Sequence, residues 1–318
     1  MRAERRTDPS SWREGDPGDG SFIPYSRLPE GFVERSGRRS RPVEPRPAAT
    51  VVLYREVERA PPPGSLRRSS PERRSLPSAA TAPESEVLLV RRSRSAGFVP
   101  GAYVFPGGRV DEADTARELS ELADPCRMAE LAGQLGLDPR PASGYLMAAV
   151  REAFEETGIL LARSDGAPVP PGADSPRVGR LQQDLLNGHG TLADVFVALD
   201  ARVDLEAVAY IAHWVTPLAE PRRYDTRFFA ARVPDGSEAL IDSREMTDAL
   251  WLTPREALAR HARGRLPMIF PTLRTLENLA GHRNVRKAVE AISSASVPRI
   301  MPELVMEKEG ARFRYERR

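Results

Sequence analysis

Apolar residues recur along this chain in short runs with two spacings. ATVVLY (49–54), EVLLVRR (86–92), VAYIAHWV (208–215) and RFFAARV (227–233) are aliphatic, aromatic and β-branched runs, and they predict strands. ALWL (249–252) predicts a further short strand. Helical spacing marks ARELSELAD (116–124), PCRMAELAGQLGL (125–137), TLADVFVALDAR (191–202), PTLRTLENLA (271–280) and NVRKAVEAIS (284–293). Pro125 separates the first two. DPRPAS (138–143) stops that pattern, and Ser143 is the expected cap of the helix that follows. In TPREALARHARG (253–264), Thr253, Pro254 and Glu256 fit the cap, first and third positions of a capping box. GFVPGAYVFPGGRVDEAD (97–114) is dense in Gly and Pro, and predicts a structured loop with a short strand at 103–105. Strands and helices mix without a regular βαβ rhythm. The expected fold class is therefore α/β, a sandwich built on a mixed sheet.

Composition narrows this picture. At 40% hydrophobic residues, the 318-residue chain can build a substantial core. The apolar residues avoid the first 47 positions, which are rich in Arg, Pro, Ser and Gly and predict a disordered basic arm. We expect one domain over 48–292 and a tail over 293–318, with the Pro/Ser/Arg-rich stretch 55–85 as a loop within the domain. A net charge of +2 does not make the whole protein a polyanion binder. The single cysteine, Cys126, excludes an intramolecular disulfide and a multi-cysteine metal site. No run approaches 18 apolar residues, so no membrane span is expected. The first residues lack an apolar core of a secretory signal, and RYERR is not a peroxisomal signal, so the cytoplasm is the expected compartment.

Candidate chemistry concentrates in YLMAAVREAFEETGIL (145–160). Glu152, Glu155 and Glu156 share one face of a helix, because residues three and four apart are neighbours there. Their like charges repel, and Arg151, four residues before Glu155, offsets only part of that. Clustered hard oxygen donors suit Mg²⁺ or Mn²⁺. Val150 and Phe154 can bury the opposite flank, and Gly158 can end the helix as a left-handed cap. A lone acidic helix face is most often just solvated. The pattern R-E-x-x-E-E-x-G, however, arises by chance at about 10⁻⁶ per window if each residue type is near 6%.

REAFEETGI (151–159) resembles the second half of the Nudix box, G-x5-E-x7-R-E-U-x-E-E-x-G-U, and FPGGRVDEAD (105–114) resembles its first half. Asp114 stands where the family has Glu, and residues 115–150, 36 in all, stand where it has seven. A box split in this way, with HWVTPLAEPRRYDTRFFAARVP (213–234) after it, is similar to the branch of Nudix hydrolases that includes the animal peroxisomal coenzyme A diphosphatase. The likeness runs from about residue 48 to 280. It implies a Nudix-type α/β/α sandwich with a helical insertion between the halves of the box, and we expect that insertion to lid one side of the substrate cleft.

The resemblance also implies an activity, metal-dependent attack of water on a nucleoside-linked diphosphate. It assigns Glu152, Glu155 and Glu156 to Mg²⁺ or Mn²⁺, with the Gly107 carbonyl as a further ligand and Arg151 orienting a glutamate. Which carboxylate is the general base stays open. Asp114 and Glu245 are candidate accessory acids, with a solvated turn acid as the alternative reading of Glu245. LLVRRSRSAGFVPGAYVFPGG (88–108) partly matches a coenzyme A motif, with Arg92, Ser93, Gly101 and Gly108 in register, Val90 for Thr and Gly97 for Arg. Arg91 or Arg94 is a candidate for the missing charge. Arg222 and Arg223 are candidates for phosphate binding. Tyr224 or Phe105 could stack on adenine, although aromatics beside strands more often serve the core. His189 and His213 are read as structural, and Cys126, with no partner His in motif context, is not expected to be a nucleophile. The expected substrate is CoA or acyl-CoA, with ADP-ribose, NADH or dinucleoside polyphosphates as the alternative and a non-cleaving nucleotide-binding module behind both. Nucleic acid is set aside because the arm lacks interleaved aromatics. A homodimer is left open.

Overall fold

A computed structural model describes residues 22–24, 43–57, 84–95, 99–218, 220, 222–241 and 245–315. Most of the expected N-terminal arm, most of the 55–85 loop and Gly97 lie outside the described residues.

In chain order the strands are β1 (Phe22–Pro24), β2 (Arg46–Val57), β3 (Glu84–Arg92), β4 (Tyr103–Val104), β5 (Gly107–Arg109), β6 (Ala162–Ser164), β7 (Ala167–Pro168), β8 (Ala201–Val203), β9 (Val208–Val215), β10 (Tyr224–Arg232), β11 (Met246–Leu252), β12 (Arg299–Ile300), β13 (Glu303–Glu307) and β14 (Gly310–Arg314). The helices are α1 (Arg117–Ser120), α2 (Pro125–Leu135), α3 (Pro139–Thr157), α4 (Pro176–Leu186), α5 (Leu192–Leu199), α6 (Pro254–Ala262), α7 (Phe270–Ala280) and α8 (Val285–Ser293).

The central sheet runs β11-β3-β2-β10-β9-β12, with β4 on β3 and β5 on β2. It is mixed: β2 and β10 are parallel, whereas β2 and β3 are antiparallel. Successive side chains on a strand face opposite ways, so a strand covered on both sides must be apolar throughout. Val51–Tyr54 obeys this. Val51 and Leu53 join the core under α3 with Leu146, Val150 and Phe154, while Val52 and Tyr54 join a second core with Leu273, Leu276 and Val289 of α7 and α8. The result is the expected α/β/α sandwich. Each of those aliphatic side chains contributes about 1.5–3 kcal/mol by leaving water.

The insertion is not separate from this core. Met128, Leu131 and Leu135 of α2 are buried in the cluster beneath α3. Its last twelve residues, 139–150, are the opening three turns of α3 itself. The expected cap at Ser143 is corrected accordingly. Asp138 precedes the helix, and Pro139 and Pro141 occupy its first turn, where proline's missing N–H costs nothing. Ser143 is buried inside the helix. The capping box at Thr253 and Glu256 forms as expected, as does the left-handed Gly158 cap, at φ 69°.

Both chain ends also differ from expectation. Within the expected tail, β13 and β14 form a hairpin, and β1, within the expected arm, pairs with β14. Phe313 stacks on Phe270 at 4.9 Å, and Tyr315 meets Trp214 edge-on at 5.7 Å, so the hairpin packs on the domain.

Candidate functional site

The two halves of the split box meet on one face of the sheet. β5 pairs with β2, setting Gly108 opposite Ala49 and Gly107 opposite Thr50. The last two turns of α3 lie over this loop. Two glycines permit the approach. A Cβ at Gly108 would lie 2.5 Å from Glu152 Cδ, and one at Gly107 would lie 2.5 Å from the Ala49 carbonyl oxygen. The Gly107 N–H donates to Glu156 Oε2 at 3.2 Å. The loop thus grips one glutamate and leaves space for another.

Arg151 organises the acids. Its Nη1 donates to Glu152 Oε1 at 2.9 Å and to Glu155 Oε2 at 3.0 Å, and its Nη2 donates to the Arg109 carbonyl at 2.9 Å. Nε and Nη2 grip the two carboxylate oxygens of Asp114 at 2.8 and 3.0 Å. The Asp114 side chain is 1% exposed and also accepts the Asp111 N–H at 2.8 Å. It sits in the turn 112–115 directly before the insertion, where it holds Arg151 and closes that turn.

Charge is out of balance here. Burial pushes the Glu152 carboxyl up to about 7, with Arg151 opposing and Glu155 adding to the rise. Burial likewise raises Glu155, against Arg151. Glu156 is raised well above the usual range, by burial first and then by Glu152, with Arg92 and the Gly107 N–H pulling it back. Burial disfavours the charge on Arg151, yet Asp114, Glu152 and Glu155 hold its pKa above the ordinary value. Among the described residues, no three His, Cys, Asp or Glu side chains stand together in ligand geometry, and Arg151 instead takes an oxygen from each of Glu152 and Glu155. The donors nonetheless fit a divalent cation. They are hard oxygens, Glu156 buried and Glu152 and Glu155 partly so, and burial holds them above the normal carboxylate range.

Other expected site residues divide. Arg92, at the end of β3, acts on Glu156. The Glu245 carbonyl accepts the Ser93 N–H at 2.7 Å, and its exposed side chain is near enough for its charge to act on Glu155 and Glu156. Arg223 does not present itself to a ligand, and its expected phosphate role is corrected. It is buried, and its three side-chain nitrogens donate to the Thr216 carbonyl, the Val43 carbonyl and Met301 Sδ. Arg222 beside it is exposed. Phe105 is a core residue, and His213 is buried against Asp225 at 2.6 Å. Cys126 is exposed.

Sequence reasoning missed Gln182. It is fully buried on α4, and its Nε2 donates to the carbonyls of Glu155 at 3.0 Å and Leu240 at 3.1 Å. The Leu240 N–H donates to the Thr157 carbonyl at 2.8 Å. Together these contacts tie the C-terminal turn of α3 to the segment leading toward Glu245. A cavity of about 570 Å³ opens elsewhere, lined by Tyr54, Leu160, Arg163, Arg232 and Arg286, and none of the box acids lines it. We place the site at the acids, where clustered carboxylates and close glycines coincide, and not at this cavity.

Comparison with known proteins agrees with this geometry. The family model of the NUDT19 Nudix domain matches residues 45–144 and 142–279, two segments that meet inside α3. The human acyl-coenzyme A diphosphatase NUDT19 is 28% identical over 285 residues, covering 76% of this chain and 74% of its own length. The chicken protein of the same name is 29% identical over 233 residues, covering 61% of each. A Nudix hydrolase crystal structure from Alicyclobacillus acidocaldarius superposes with a TM-score of 0.58 at 28% identity, covering 79% of this chain and 98% of that one. With the family matched across both halves of the box and the fold matched by that structure, this chain belongs to the NUDT19 Nudix domain family and is a Nudix hydrolase.

Proposed function

We propose that this enzyme hydrolyses the diphosphate of CoA or acyl-CoA, releasing 3′,5′-ADP and (acyl-)4′-phosphopantetheine. The observation that carries the hydrolytic site is the gathering of buried Glu156 and partly buried Glu152 and Glu155 around the Gly107–Gly108 loop, with fewer positive charges than carboxylates acting on them. The CoA class is supported by the name of the 28%-identical human relative and by Arg92 beside Glu156.

Glu152, Glu155 and Glu156 are the residues that would hold Mg²⁺ or Mn²⁺. Such an ion, when bound, neutralises phosphoryl oxygens and lowers the pKa of attacking water. The chain's own residues set the stage for that chemistry. Arg151 orients Glu152 and Glu155 and is itself held by Asp114. The Gly107 N–H holds Glu156. Arg92 supplies positive charge at the mouth of the site, where a diphosphate's negative charge must be met. Glu245 adds a further carboxylate whose charge acts on Glu155 and Glu156, and we assign it the role of candidate proton acceptor. We propose the cytoplasm as its compartment.

A substrate panel tests the reading. CoA, acyl-CoAs, ADP-ribose, NADH and diadenosine polyphosphates are compared by kcat/KM with Mg²⁺ or Mn²⁺. CoA compounds are expected to lead. Preference for ADP-ribose or NADH would leave the hydrolase standing and overturn the CoA assignment, a result that Gly97 in place of the motif's arginine would explain.

A further inference from the structure

The sheet end that carries Arg92 has a second face. Neighbouring residues on β3 point opposite ways, so Arg92 acts on Glu156 while Arg91 faces the other side with its register partner Tyr103. The Arg91 guanidinium lies over the Tyr103 ring, 5.7 Å from its centroid. Tyr103 is buried, and its hydroxyl donates to Asp248 Oδ2 at 2.6 Å. The other oxygen of Asp248 accepts the Ala249 N–H at 2.9 Å, so this carboxylate is already engaged. Arg260 of α6 is close enough for its charge, like that of Arg91, to act on the same hydroxyl.

More positive charge arrives with the chain that follows α6. The Tyr103 N–H donates to the Pro267 carbonyl at 2.8 Å, and Tyr103 bridges to Met268. This return segment carries Arg263 and Arg265, both exposed, and the Arg265 N–H donates to the Arg260 carbonyl at 2.9 Å. Among the described residues, Arg91, Arg260, Arg263 and Arg265 form no ion pair. Four unpaired cations at one sheet end repel one another and favour an anion. A guanidinium over an aromatic ring can still turn N–H groups to a ligand, and paired N–H groups suit phosphate oxygens. Tyr103 also lies only four residues ahead of Gly107, a span of about 14 Å at most.

We propose that Arg91 and Arg260, with Arg263 and Arg265 as outer charges, bind a phosphomonoester on the ribose of the substrate. That group distinguishes CoA from a simple nucleoside diphosphate compound. The assignment rests on the CoA reading above and adds to it a subsite on the other face of the sheet end.

Calorimetry with the full chain tests it, using adenosine 3′,5′-bisphosphate and AMP as ligands at fixed Mg²⁺. The wild type is expected to bind the bisphosphate about tenfold or more tightly than AMP, the range of one charge-assisted contact. In the double variant R91Q/R260Q the ratio of the two affinities should fall toward one, with the melting temperature reporting that the fold is intact. Arg255→Gln is the control, since Arg255 donates to the Ala280 carbonyl, and there the ratio should hold. Equal binding of the two ligands by the wild type overturns the proposal, as does a double variant that weakens both in equal proportion. The readout does not depend on turnover. Cleavage of ADP-ribose and not CoA, with the bisphosphate preference intact, would overturn the substrate reading and leave the subsite. Cleavage of CoA with no such preference would do the reverse.

Discussion

Asp114 and Arg151 stand 37 residues apart in the chain and meet in a two-point ion pair of 2.8 and 3.0 Å. One ends the first half of the box and the other begins the second. The whole insertion is therefore a loop closed by this pair. The pair also explains why Asp serves where the family has Glu. The shorter side chain receives both Arg151 nitrogens and still accepts the Asp111 N–H that closes its own turn.

Removing one partner of a buried pair costs about 3–5 kcal/mol, and the remaining contacts of Arg151 with Glu152 and Glu155 put the loss of Asp114 at the low end of that range. Asp114→Ala should therefore lose stability on that order in denaturant unfolding. An effect under about 1 kcal/mol would show that the pair is dispensable.

Gly108→Ala should strike activity more than stability. The added Cβ would press on Glu152, displacing a carboxylate the site needs. A displacement near 1 Å can cost about 10²-fold in rate. We expect kcat to fall on that scale while the melting temperature moves by a few degrees.

Metal should stabilise the protein through the same acids. Mg²⁺ at a hundred times its dissociation constant should add about 2.7 kcal/mol to wild-type stability. Glu156→Gln should show little of that gain, since it removes a buried donor. Equal stabilisation of both proteins, read by thermal melts with and without Mg²⁺, would place the ion elsewhere.

His213 sets an expectation for pH. Burial pulls the imidazole below its usual 6.5, against Asp225, while the charges of Arg227 and Arg299 also lower it. Its folded pKa is thus below the unfolded one. The stability it contributes is present above about 6.5 and is lost as pH falls through the folded value. Denaturant unfolding should show weaker folding at pH 5.5 than at pH 7.5, and His213→Gln should flatten that difference.

Much of this was legible in the sequence because the signals were local. Glu152, Glu155 and Glu156 declared one helix face by spacing alone, and Gly158 declared its end. The strands at 49–54 and 208–215 were plain from runs that are apolar but for Thr50 and His213. What stayed hidden depends on contacts across the chain. Arg223 reads as a surface arginine until three protein acceptors are found around it. Gln182 carries no motif, and only the fold brings it to the Glu155 carbonyl. The β13–β14 hairpin lacks a glycine-rich turn, since Lys308 and Glu309 make its tip, so nothing short-range marked it. Ser143 misled because Asp138-Pro139 is an equally good helix start, and the core beneath α3 rewards the longer helix.

The most direct test of the account is the mass of the products formed from CoA, with and without Mg²⁺, by the wild type and by Glu156→Gln. We predict 3′,5′-ADP and 4′-phosphopantetheine from the wild type with Mg²⁺, and a loss of at least about 10²-fold in the variant. CoA left intact by the wild type, or cleaved equally by Glu156→Gln, would contradict the account.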